Sequence, residues 1–144
     1  MEYMIGLILA AAVAAFATVI GMARERSFYA TVLIVVGSYY VLFAAMDASR
    51  RTLVVESLVA GLFLLFAVLG FKKSLWFVVV GLIGHGTFDF VHPVFIDNPG
   101  VPRWWPGFCL ACDVVLGVWL GWRLKQPGGP PFGAGERSER ALRG

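Results

Sequence analysis

Polar positions are sparse along this chain, and apolar runs cover residues 3–23, 27–46, 53–71, 74–96 and 107–122. A helix that crosses a bilayer needs about 20 largely apolar residues, which the first four runs supply directly. The fifth is shorter, but Trp104 and Trp105 ahead of it can anchor at an interface. The pattern predicts an all-α fold: a polytopic bundle of five transmembrane helices over residues 1–125. Residues 126–144 are rich in Gly, Pro, Arg and Ser, cannot bury a core, and predict a disordered cytoplasmic tail. The first run is expected to be retained, because it lacks a basic leader and exceeds the roughly 7–15 apolar residues of a cleaved signal.

Small residues give the first packing clue. Gly6, Ala10, Ala14 and Thr18 recur at four-residue intervals, a stripe that lets another helix approach closely. On the fourth run Gly81, His85 and Asp89 share a stripe, and on the fifth Cys109, Asp113, Gly117 and Gly121 do. These two faces are expected to press together. Between them, 97–106 is a run of turn formers and aromatics that returns the chain through Pro106 into the last helix.

Composition sharpens this reading. The chain is 59% hydrophobic and 15% charged, far from an ordinary soluble domain, and leaves no room for a separate one. Lys and Arg are distributed unevenly between the alternate loops. With the N-terminus outside, nine cations fall on the cytoplasmic side, Arg24, Arg26, Lys72 and Lys73 among them. Three fall outside: Arg50, Arg51 and Arg103. The positive-inside bias therefore predicts a multi-pass protein of the cell membrane, N-terminus outside and C-terminus cytoplasmic. The net charge of +3 is accounted for by that bias, with no nucleic-acid partner required.

The chemistry lies in the exceptions to apolarity. His85, Asp89 and His92 follow one another at offsets of four and three, so one face of the fourth helix carries all three. Ionisable groups at membrane depth are costly and mark a site, a relay or an ion path. At about 1.5 Å per residue, Asp89 and Asp113 both come to lie roughly 10 Å below the outer interface. Glu56 and His92 are shallower, and His85 is deeper. These five groups are expected to converge in the outer half of the bundle. Pro93 should free the carbonyl of Asp89 and kink the helix there.

As ligands, His85, Asp89, His92 and Asp113 suit a divalent metal such as zinc, with iron, manganese and nickel as relatives in donor preference. Without a metal, Asp89, Asp113 and Glu56 would serve acid/base chemistry beside the imidazoles. An interhelical packing network is the third alternative. The polar groups stop below His85, which favours a site over a channel. Two functions remain open. One is a metal-dependent or acid/base enzyme acting on a lipid or isoprenoid-like ligand. The other is a metal- or proton-handling transport component, with a homo-oligomer expected where a path is needed; a purely structural subunit is the plainest alternative.

The stretch from Gly84 through His85, Asp89, His92 and Pro93 to Cys109, Cys112 and Asp113 resembles a family of small bacterial integral membrane proteins of unknown function. That family shows a His-x3-Asp-x2-His helix, a Pro-rich loop and a Cys/Phe-Asp helix start. The resemblance covers about the C-terminal third of the chain and implies His85, Asp89, His92 and Asp113 as site positions. It implies no activity. Cys109 and Cys112 form a Cys-x-x-Cys at a helix start, as in quinone-linked enzymes of the vitamin K epoxide reductase type, which carry further loop cysteines that this chain lacks. Two small buried apolar side chains are the simpler reading of this pair.

Overall fold

The computed structural model describes residues 1–47 and 49–127, and the tail expected over 126–144 lies outside these from residue 128 onward. Five helices follow one another: α1 Glu2–Val19, α2 Arg26–Asp47, α3 Arg50–Lys72, α4 Trp76–Phe95 and α5 Trp105–Leu124. A short 3-10 turn, Met22–Arg24, joins the first two, and no strand occurs among the described residues. All five helices are long and apolar enough to cross a membrane. Each lies within a few residues of the run that predicts it.

Local signals set several of the ends. Ser49 caps α3 by accepting a hydrogen bond from the backbone N–H of Thr52 at 3.1 Å, satisfying one of the free donors of the first turn. Pro106 sits in the first turn of α5, where its missing N–H costs nothing. Pro93 lies inside α4, which continues through it to Phe95.

The interior belongs to α4 and α5. Half of α5's apolar window is buried, against 17% for α1. α4 packs most extensively on α5 and also touches α3 and α2, while α1 packs on the other side of α5. α2 pairs with α3 and makes almost no backbone contact with α1. Leu33, Val78, Leu82, Leu116 and Leu120 form the centre of the apolar core. Around it, α1 and α3 turn side chains such as Ile8, Phe16, Val54 and Leu58 outward.

Two glycines set the approach of α1 and α4 to α5. A Cβ on Gly6 would collide with the backbone carbonyl of Phe108, so α1 can lie this close to α5 only through glycine. A Cβ on Gly86 would come within 3.2 Å of Asp113 Cβ and 3.3 Å of the Cys109 carbonyl oxygen. The small-residue stripe of α1 holds at Gly6 and Ala10, but continues through buried Ala17 in place of Thr18. Thr18 is exposed and bonds back to the carbonyl of Ala14. On α5, Gly117 meets Ile83 and Leu82 of α4 as its stripe predicts. Gly81 differs from expectation: it faces Leu33 and Phe66, and Gly86 takes its place against α5. Five residues of α-helix turn the face by about 140°, enough to move Gly81 to a different neighbour.

Arg26 also departs from the sequence reading, which places it among the loop charges. Its side chain is buried and donates to the carbonyl of Gly70 at 2.6 Å. That carbonyl belongs to the last turn of α3, where unpaired acceptors and the helix dipole both favour a cation.

Candidate metal centre

α4 and α5 bring three of the expected site residues together. His85 Nδ1 lies 2.7 Å from Asp113 Oδ2 and 3.5 Å from Asp89 Oδ2. One ligand atom from each of the three residues falls within a span of 4.8 Å, and all three side chains are buried. His85 and Asp89 share a face because they are four residues apart on one helix. Asp113 reaches them because Gly86 lets α5 come close to α4.

The donor balance of this cluster is one-sided. Both oxygens of Asp89 and the Oδ1 of Asp113 are buried and accept no hydrogen bond. The Tyr40 hydroxyl and the Cys109 thiol lie beside the Asp89 carboxyl, yet neither makes a well-formed hydrogen bond to it. Buried acceptors without donors are expensive, and buried carboxylates more so. A shared proton, a metal ion, or rotation of the Tyr40 hydroxyl and Cys109 thiol towards Asp89 would each offset that cost.

The spacing suits a metal. Four-coordinate zinc with bonds of about 2.0 Å places its ligand atoms roughly 3.3 Å apart. The His85–Asp89 separation of 3.5 Å is close to that, and the His85–Asp113 separation of 2.7 Å needs only a small opening. Two carboxylates and a neutral imidazole around a divalent ion sum to zero charge, the cheapest total for a dry interior. Three protein ligands leave a fourth position open, as catalytic zinc sites do.

The other two predicted residues form a separate group. His92 Nε2 and Glu56 Oε1 are 2.7 Å apart, both side chains buried. Asn98 Nδ2 donates to the same Glu56 oxygen at 2.9 Å and to the backbone carbonyl of Tyr40 at 3.3 Å. This group ties α3, α4, α2 and the loop after α4 together. His92 thus lies outside the three-residue cluster, and Glu56 faces His92 rather than either aspartate.

Tyr40 joins the two groups. Its ring lies 4.2 Å from that of His92 and 6.4 Å from that of His85, centroid to centroid. Phe63 closes the cluster from α3, its ring 4.7 Å from His85. Neither Tyr40 nor Asn98 is among the site residues expected from the sequence. An Asn beside a Pro-Gly turn reads as turn chemistry, and no local signal points it at Glu56. Cys109 and Cys112 are buried and unpaired as thiols.

Two hollows adjoin the site. A recess of about 330 Å³ with a mixed polar and apolar lining lies at the loop end, beside His92, Ile96, Asn98 and Arg103. A larger apolar one of about 540 Å³ lies among α1, α2 and α5 and reaches Cys109, Cys112 and Asp113.

No protein-family model, curated protein or solved structure matches this chain.

Proposed function

We propose that this chain is an integral membrane protein whose bundle holds a divalent metal ion, zinc by donor preference, between His85, Asp89 and Asp113. The observation that carries the reading is the convergence of ligand atoms from His85, Asp89 and Asp113 within 4.8 Å of one another in the buried interior. The apolar faces that α1 and α3 turn outward support a bilayer setting, because water would penalise so much exposed hydrocarbon. The uneven loop charges support an orientation with the N-terminus outside and the C-terminus cytoplasmic. The metal centre then lies in the outer half of the bundle.

In this reading the centre is catalytic and acts on a lipid-like substrate. A bound zinc ion supplies Lewis acidity and a readily ionised water. His85, Asp89 and Asp113 hold it, the Tyr40 hydroxyl and the Cys109 thiol border the Asp89 carboxyl, and Phe63 excludes water from His85. A transport path is less well supported. Directly below His85 the core is Leu82, Val78, Leu116 and Leu120, and the buried polar side chains Tyr29 and Arg26 come in only at the far end of α2, bonded to backbone carbonyls.

The short His85–Asp113 contact favours one second reading, a metal-free acid/base pair oriented by hydrogen bonding. Elemental analysis of the full chain, purified in mild detergent and dialysed against trace zinc, separates the two. The metal reading expects one equivalent of metal in the parent and none in His85→Ala or Asp113→Asn. It also expects metal to be retained in His92→Gln. Negligible metal in a folded parent would leave the acid/base pair.

A further inference from the structure

Two buried groups beside the metal cluster carry complementary deficits. Both oxygens of Asp89 accept no hydrogen bond, and the Tyr40 hydroxyl makes none. One side lacks a donor and the other lacks an acceptor, and both residues are buried in the interior. Groups of this kind are costly apart and favourable together.

Helix geometry sets the two side by side. Asp89 follows His85 by four residues and precedes His92 by three, so it lies between the two imidazoles on the inner face of α4. The Tyr40 ring spans the same interval from α2, with its centroid 6.4 Å from that of His85 and 4.2 Å from that of His92. A phenol laid across both histidines brings its hydroxyl beside the carboxyl between them. Tyr40 is held there from several directions. Its backbone carbonyl accepts from Asn98 Nδ2 at 3.3 Å, which ties this turn of α2 to the loop after α4. Its ring packs on His92, which is itself held by Glu56 at 2.7 Å, and Phe43 meets the ring edge-on at 6.2 Å. α2 packs mainly on α3 and only lightly on α4, so these contacts carry much of the placement of Tyr40.

The phenol is the better donor of the two candidates. The Cys109 thiol also lies beside Asp89, but S–H is a weak donor and a phenolic O–H is a full one. A carboxylate that gives one oxygen to a metal ion still has a second oxygen to satisfy, and outer-shell donors do this in metal centres.

We propose that Tyr40 is a positioning residue of the centre: its hydroxyl donates to the Asp89 oxygen that the metal leaves free and fixes the orientation of that carboxylate. The proposal rests on the metal reading above for the partner of the other oxygen. It adds a residue of α2 to a site otherwise built from α4 and α5.

The full chain in mild detergent, loaded with zinc alone, tests this. Tyr40→Phe keeps the ring on His92 and removes only the hydroxyl, so a packing role leaves zinc affinity unchanged. The positioning role lowers it about 10–100-fold in competition with a chromophoric chelator. Tyr29→Phe removes another buried hydroxyl, bonded to the Ala23 carbonyl, and should leave affinity as in the parent. Cys109→Ala should have a smaller effect than Tyr40→Phe. Parent-like affinity in folded Tyr40→Phe protein, or a larger fall in Cys109→Ala, would overturn the proposal.

A second measurement, on metal-free protein, reads the Tyr40–Asp89 pair itself. Tyr40→Phe should lower the thermal unfolding midpoint of the parent and change it little in an Asp89→Ala background, because coupled groups do not act additively. Equal losses in the two backgrounds would also overturn the proposal. The two arms keep the readings apart. A parent that binds no zinc but shows the coupling loses the metal centre and keeps the Tyr40–Asp89 bond. A zinc-loaded parent with additive losses, and with parent-like affinity in Tyr40→Phe, keeps the centre and loses Tyr40.

Discussion

His85 and Asp113 are 28 residues apart in the chain and meet at 2.7 Å, each fully buried, one on α4 and the other on α5. The contact crosses the most extensively packed helix pair in the bundle and brings a second carboxylate to an imidazole that already has Asp89 one turn away. Neither aspartate gains enough donors from the arrangement, and the first expectation follows from that deficit.

Asp89→Asn and Asp113→Asn each remove a charge and one ligand oxygen from the cluster. Metal affinity, measured by competition with a chromophoric chelator, should fall more than about 100-fold in each, beyond the 10–100-fold typical of outer-shell changes. Affinity unchanged in both variants would show that the metal sits elsewhere.

Metal retention should depend on pH in one direction. Imidazole and carboxylate ligands bind metal only when deprotonated, so acidification must release the ion. Stripping at constant chelator should grow as pH falls through the range where histidine gains a proton. A profile flat from neutral to mildly acidic pH would argue against histidine ligation.

The His92–Glu56–Asn98 group should contribute to stability and leave metal affinity largely untouched. His92→Ala leaves Glu56 buried with only Asn98 as donor, and truncating one partner of a buried pair costs about 3–5 kcal/mol. Asn98→Ala should cost less, about 1–3 kcal/mol. Thermal unfolding in detergent reads both, and loss of metal in a folded His92→Gln protein would assign His92 to the centre after all.

Close packing at two glycines predicts a graded effect. Gly6→Ala must move α1 away from the Phe108 carbonyl and should destabilise by about 1–3 kcal/mol. Gly86→Ala should push α4 from α5 near Asp113 and lower metal affinity as well as stability. Affinity unaffected by Gly86→Ala would mean that the site tolerates helix separation.

Orientation is open to a direct probe. On a background with Cys109 and Cys112 replaced by alanine, a cysteine placed at Pro99 should react with an impermeant thiol reagent from outside the cell. One placed at Gln126 should react only after permeabilisation. The opposite pattern would put the metal centre in the cytoplasmic half.

The helices and the polar face of α4 are legible without a structure because they depend on local order. Apolar runs of spanning length stand out against any background, and offsets of three and four place His85, Asp89 and His92 on one face whatever surrounds the helix. Matched distance from the loop even brings Asp113 to the right level. The partners were decided elsewhere. Whether His92 joins Asp113 or Glu56 depends on how α3 and α5 are rotated about α4, and that rotation is set by contacts such as Gly86 on Asp113 and Gly117 on Ile83. Gly81, equally without a Cβ, is the position the sequence stripe favours, yet it faces Leu33 and Phe66. Arg26 likewise reads as a loop charge until the end of α3 arrives beside it. The apolar hollow among α1, α2 and α5 has no sequence signature at all, since it exists only because α1 and α2, neighbours in the chain, do not pack together. Residue order alone determined what each helix is and which face of it is polar. Tertiary packing decided which histidine meets which carboxylate, because that pairing is a relation between helix rotations that no single segment encodes.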